Sequence, residues 1–216
     1  MKQQESPDTL FDALAEDYES MRKELFWNPF LHIETAFSGV DLRGKEILDA
    51  GCGTGECTRW FAAQGATPVG IDISGEMCFH AAERSENILY LNHDLNDPLP
   101  FKSGRFDAVV ALGCLEYLPD IGSVVREFHR VTKAGGMFLG CFERFGEDCP
   151  GKNARQVEFF DHWVRYRQSR SLLESLFKGL YANVTIDPVA GFFLEETNET
   201  TQYWRVIARE ARQEKC

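Results

Sequence analysis

From residue 45 onward, short apolar runs of strand length alternate with stretches whose apolar residues recur at helical spacing. The strand-like runs are 45–50, 68–72, 87–91, 105–110 and 136–142, and the helical stretches 54–64, 75–84 and 121–132 lie among them. Alternation at this spacing predicts a parallel sheet covered by helices on both faces, and right-handed crossovers make it doubly wound. Upstream, Leu10, Phe11, Leu14, Tyr18, Met21 and Leu25 keep one helical stripe until Asn28-Pro29 breaks it, and a second short helix holds Phe30, Ile33 and Phe37. After residue 142 the rhythm stops. The stretch Phe145 to Arg167 carries Gly146, Pro150 and Gly151, then Phe159, Phe160, Trp163 and Tyr166, a long insertion suited to a lid or substrate wall. A helix over 169–178 and strands over 181–187 and 200–208 close the chain. Pro188 to Glu199 has no helical pattern, so the last two strands are expected to be antiparallel neighbours.

Composition narrows the class. With 216 residues, 44% apolar and 26% charged, the chain suits one domain over 1–216: a helical preface 1–40, a core 45–142, an insertion 143–168 and a C-terminal part 169–216. The net charge is −11 and the basic residues are dispersed, which argues against a nucleic-acid partner. Arg165, Arg167 and Arg170 form the exception and are read as a solvated helix end. The first residues lack an apolar core, and no run approaches the roughly 20 apolar residues a membrane span needs, so a cytoplasmic protein is expected. Cys52, Cys57, Cys78, Cys114, Cys141, Cys149 and Cys216 include no C-x-x-C pair, so neither a disulfide framework nor a metal site is expected. Packing is the expected role of most of them.

The candidate chemistry begins at Ile47-Leu48-Asp49-Ala50-Gly51-Cys52-Gly53-Thr54-Gly55, an apolar run ending in an acid and three alternate glycines. It reads as a strand entering a ligand-binding turn, where glycine permits positive φ and close approach to main-chain N–H groups. A dinucleotide fingerprint needs G-x-G-x-x-G, yet Glu56 or Thr58 occupies the third glycine position in the two available frames. The P-loop-like spacing from Gly39 to Gly44-Lys45 fails too, because Glu46 stands where Ser or Thr would hold Mg²⁺.

Several further motifs accompany the turn: Val69-Gly70-Ile71-Asp72-Ile73-Ser74, His93-Asp94-Leu95, Phe106-Asp107-Ala108-Val109-Val110 with Leu115-Glu116-Tyr117-Leu118-Pro119-Asp120, and Arg130 through Ala134-Gly135-Gly136-Met137. Over about residues 45 to 142 this set resembles the class I S-adenosylmethionine-dependent methyltransferases, and the preface Phe11 to Tyr18 is similar to small-molecule enzymes, including those of quinone biosynthesis. Ala134 replaces the family's usual proline, and Tyr117 stands where many relatives have histidine. The resemblance implies an α/β, Rossmann-like doubly wound sheet of about seven strands, mostly parallel with an antiparallel final strand, plus an N-terminal helical cap. It also implies S-adenosyl-L-methionine as cofactor and a small-molecule methyl acceptor as partner.

On that resemblance, Asp72 takes the ribose hydroxyls, Asp94 reads the adenine amino group, and Ile73 and Leu95 sandwich the base. Asp49 reaches the cofactor's ammonium, while Gly51, Cys52 and Gly53 admit its methionine portion; Leu112 follows the fourth strand into the site. Tyr18 shares a helix face with Arg22 and is expected at the carboxylate end. The sulfonium is already activated, so proximity and orientation carry most of the catalysis. Should the acceptor need to lose a proton, the candidates are Tyr117, Glu116, His162 and Tyr166. His32, His80, His93 and His129 read as structural, and Asp107 as a solvated or turn-capping acid. Trp27, Phe30, Phe145, Phe159, Phe160 and Trp163 suit an acceptor pocket, and equally a homodimer surface. The alternative class is a non-catalytic S-adenosylmethionine- or S-adenosylhomocysteine-binding protein or partner subunit, distinguished by whether methyl transfer occurs.

Overall fold

The structure, a computed structural model, describes residues 7–24, 27–144, 154–159, 163–194 and 199–212. The preface is three helices, α1 (Pro7–Leu14), α2 (Tyr18–Glu24) and α3 (Pro29–Ala36). The single stripe expected up to Asn28 is therefore broken once more, at residues 15–17. Tertiary contacts override it: Asp12 accepts from the Ser74 hydroxyl at 2.5 Å, Glu19 accepts from Thr54 at 2.8 Å, and Ala15 between them is buried. Asn28 caps α3 by accepting from the Phe30 N–H at 3.1 Å, with Pro29 in the first helical position.

The predicted alternation follows as β1 (Glu46–Ala50), α4 (Glu56–Ala63), β2 (Thr67–Asp72), α5 (Gly75–Glu83), β3 (Leu89–Asn92), β4 (Phe106–Ala111), α6 (Ile121–Val131) and β5 (Thr132–Glu143). Ser74 and Asp120 cap α5 and α6 by accepting from backbone N–H groups of the first turn. A 3₁₀ turn, Leu115–Tyr117, follows β4 and has no counterpart in the periodicity. Next come β6 (Ala154–Phe159), β7 (Trp163–Gln168), α7 (Arg170–Phe177), β8 (Tyr181–Leu194) and β9 (Glu199–Ala211).

The main sheet has the order β3-β2-β1-β4-β5-β9-β8, with β1 to β5 parallel and β9 antiparallel to both its neighbours. Apolar alternation along β1 and β4 feeds two cores. Leu48, Ala50, Val109 and Ala111 pack with α6 and α7 on one face, and Ile47, Ala108 and Val110 with α3 and α4 on the other. Strand order reverses at β1, with β2 on one side and β4 on the other, so the crevice for a ligand opens beyond the C-terminal ends of these strands.

The C-terminal strands run longer than 181–187 and 200–208, and Pro188 lies within β8. That strand is an edge, where a missing N–H costs no ladder bond. The expected lid carries a β6–β7 hairpin. Arg165 and Arg167 lie on β7 rather than on a solvated helix end, and Arg165 is buried. Phe145, Cys149, Phe160, His162 and Cys216 fall outside the described residues. Cys52, Cys78 and Cys141 are buried free thiols, as their packing role requires. Asp107 accepts from the Glu46 N–H at 3.0 Å and pairs with Lys45 and Lys133, a capping role at the sheet's opposite end. No described helix is long and apolar enough to cross a membrane, and no described residues form a metal-ligating group.

Candidate cofactor and acceptor site

The glycine turn does its work by making room. Gly51 has φ of +72°, and a Cβ there would lie 2.5 Å from Cys114 Cβ; Gly55, at +79°, has the Tyr90 hydroxyl 2.6 Å from where its Cβ would be. The expectation that the turn's N–H groups await a ligand needs correcting. Gly51 and Cys52 both donate to the Ile71 carbonyl, at 2.8 and 3.0 Å, and Gly53 donates to Asp72 Oδ2 at 2.8 Å. These amides tie β1's exit to β2's end and thereby set the two acids beside the turn.

Two cavities adjoin there. The larger, about 600 Å³, is lined by Asp72, Ile73, Asp94, Leu95 and Tyr117 among others. The smaller, about 450 Å³, is lined by Asp49, Cys52, Thr54, Arg22, Trp27 and Leu112 among others. Gly51, Gly53 and Tyr18 line both, and the Tyr18 ring stands over Gly53, with Cε1 3.5 Å from the place a Cβ would take. The preface helix thus lays an aromatic ring across the mouth of the turn, dividing one trough into two compartments.

Asp72 is buried, its Oδ1 accepting from the Ser74 N–H at 3.0 Å and its Oδ2 from Gly53; burial raises its pKa despite these bonds. Asp49, 3% exposed, accepts from the Thr58 hydroxyl at 2.5 Å, and burial pushes its carboxyl up to about 6. Asp94 Oδ1 accepts from the backbone and side-chain N–H groups of Asn96, which fixes the carboxylate on the cavity wall. Cys52 is buried, and its contact with Cys78 together with burial pushes its thiol well above the usual value, in keeping with a packing role.

Sequence reasoning missed Arg22 as a latch and Thr54, Glu56 and Thr58 as partners. Arg22 is buried and donates to the Trp27 carbonyl and to Glu56, each at 2.5 Å. The signal existed for Thr58: one turn into α4, it faces the acid that ends β1. Of the proposed proton acceptors, Tyr117 lines the larger cavity, edge-on to Phe11, with its phenol raised by burial. Tyr166 lies on β7 and lines neither cavity. Glu116 sits in the 3₁₀ turn, 1% exposed, accepting on Oε1 from Arg165 and the Tyr203 hydroxyl, both at 2.9 Å. Arg165 also meets Glu143 Oε2 at 2.8 Å, which fastens β7 to both β5 and the 3₁₀ turn. Trp27, part of the expected aromatic pocket, packs on Tyr203 and His32.

A sheet of this order, with acids ending β1 and β2 and a glycine turn leading into α4, defines the class I methyltransferase fold. Residues 48–140 match a family model described as a methyltransferase domain. It is 34% identical over 122 residues to a ubiquinone biosynthesis O-methyltransferase of Dechloromonas aromatica, covering 54% of this chain and 52% of that one. It is 38% identical over 99 residues to a demethylmenaquinone methyltransferase of Tropheryma whipplei, covering 45% and 41%. The chain therefore spans about half the length of the curated relatives it matches. In fold it is similar to the Burkholderia thailandensis 1,6-didemethyltoxoflavin-N1-methyltransferase solved with S-adenosylhomocysteine, with TM-score 0.66, 18% identity, and coverage of 95% of this chain and 87% of that one.

Proposed function

We propose that the protein transfers a methyl group from S-adenosylmethionine to a small-molecule acceptor. The observation that carries this reading is the divided trough: two compartments meeting over Gly51 and Gly53, one walled by Asp72, Asp94, Ile73 and Leu95, the other by Asp49, Thr54 and Arg22. The donor set fits the cofactor. Asp72 and Asp94 hold polar edges of a nucleoside between two aliphatic walls, and the buried Asp49 sits where an ammonium would pair with it. Tyr18 and Arg22, from the preface, supply donors for a carboxylate. Bound there, S-adenosylmethionine supplies a methyl group already activated on a sulfonium.

What the chain contributes is orientation and exclusion of water. Tyr18 and Trp27 cover the turn, Leu112 forms an apolar floor, and Tyr117 closes the far side. The quinone-biosynthesis and toxoflavin methyltransferases named among the relatives support a small-molecule acceptor. Calorimetric titration with S-adenosylhomocysteine tests the cofactor assignment. Binding at a Kd of about 10⁻⁴ M or tighter, lost at least tenfold in Asp72→Ala, is the expected outcome; an unchanged affinity in Asp72→Ala overturns it.

A further inference from the structure

Phe11 is a large apolar residue on a helix, α1, in which no described residue is buried. It is half-buried and lines the larger cavity together with Asp72, Ile73, Asp94 and Leu95. A ring left partly open to a cavity still has apolar surface to remove from water. Phe11 stands edge-on to two other rings of that cavity, Tyr18 at 6.4 Å and Tyr117 at 5.4 Å between centroids, and so links the preface to the turn after β4. The next residue fixes where the ring sits. Asp12 Oδ1 accepts from the Ser74 hydroxyl at 2.5 Å and from the Glu76 N–H at 3.2 Å. Ser74 follows Asp72 and Ile73 directly, so these bonds register α1 on the segment that walls the nucleoside compartment.

Resting on the methyl-transfer reading, we propose that Phe11 contacts the cofactor, covering the open side of its adenosine portion, and that Asp12 is the positioning residue that holds the ring there. The strand ends supply Asp72 and Asp94 for polar edges and Ile73 and Leu95 for aliphatic walls. Helix α1 supplies what neither strand end does, an aromatic surface approaching from outside the sheet. Closing that surface on the nucleoside buries the exposed part of the ring and the sugar and base atoms beneath it. The adenosine portion is common to S-adenosylmethionine and S-adenosylhomocysteine, so the contact strengthens donor and product alike and does not by itself favour the transition state. Its use is to hold the donor in register with the acceptor and to keep water from the trough. Product release then requires α1 to let go of Ser74.

The test measures, for the full chain, calorimetric Kd values of S-adenosylhomocysteine, S-adenosylmethionine and 5′-methylthioadenosine, a nucleoside that lacks the amino-acid portion. Phe11→Ala is expected to weaken all three by about five- to tenfold, because the ring meets the part they share. Asp12→Ala is expected to give a similar loss, and the double variant no more than Phe11→Ala alone, since the two residues act as one unit. On the parent protein, nuclear Overhauser contacts should connect the Phe11 ring protons to adenosine protons of bound 5′-methylthioadenosine; this readout stands even if the Ala variants fail to fold. Affinity of Phe11→Ala for 5′-methylthioadenosine within about twofold of the parent overturns the proposal, as does a missing Overhauser contact. A loss about fivefold or more greater for S-adenosylmethionine than for S-adenosylhomocysteine also overturns it, because the ring would then face the sulfonium. Additive losses in the double variant overturn the positioning role of Asp12. In each of these cases the parent still binds S-adenosylhomocysteine and the cofactor assignment stands; no binding by the parent overturns both.

Discussion

Asp49 and Asp72 end adjacent strands, both buried, and each raises the other's cost of ionisation. Asp49's folded-state value of about 6 exceeds the ordinary carboxyl value of 3.8, so the folded chain holds this proton more tightly than the unfolded chain. The stability it contributes is therefore complete below about pH 4 and is lost as pH rises toward 6, a change on the order of 3 kcal/mol. Denaturant unfolding of the ligand-free protein at several pH values should show this loss, and Asp49→Asn should flatten it. Asp72 makes a different prediction, because its oxygens also accept from Gly53 and Ser74. Asp72→Asn removes an acceptor and presents a donor to those amides, so affinity for S-adenosylhomocysteine should fall about 10- to 100-fold, the usual loss for a charge-assisted bond. The residue types at Asp49 and Asp72 are legible in the sequence because acids near strand ends are positioned by strand register, and Asp94 and Leu95 because they follow β3 directly. The partners are not, since nothing local in Gly51-Cys52-Gly53 says that their amides are already committed to Ile71 and Asp72.

Helices α1 and α2 are held onto the site by polar contacts. No described residue of α1 is buried, and Arg22 is the only described buried residue of α2. Glu19 accepts from Thr54 at 2.8 Å, Arg59 at 3.2 Å and Arg84 at 2.9 Å, bridging the glycine turn, α4 and the end of α5. A cover fastened in this way should open more readily when its charges are removed or screened. Glu19→Gln is expected to raise the S-adenosylhomocysteine dissociation rate about tenfold, equivalent to about 1.4 kcal/mol, and added salt to reproduce part of that effect; stopped-flow displacement measures both. The sequence stripe foretold that this segment is helical and that Tyr18 and Arg22 share a face, but not the break at residues 15–17. That break is set by Ser74 and Thr54, far along the chain. The hairpin β6–β7 escaped for a similar reason. Its polar and aromatic mixture has no clean alternation, and the buried Arg165 is met by Glu116, Glu143 and Tyr203, all distant in sequence.

Across the whole molecule the parallel half is written in local periodicity, while the C-terminal half depends on pairing between distant strands. β9 enters between β5 and β8, and its Tyr203 reaches Glu116 in the 3₁₀ turn that follows β4. The preface and the glycine turn converge on one trough, so a ligand there should stabilise both together. With S-adenosylhomocysteine at 100 times its Kd, linkage adds about 2.7 kcal/mol, which for a chain of this size is a Tm rise of roughly 5–10 °C. Hydrogen exchange localises the effect. Amides of α1, α2 and residues 51–57 should slow on ligand binding. Protection confined to 51–57, with the preface exchanging as before, would show that α1 and α2 do not close over the ligand.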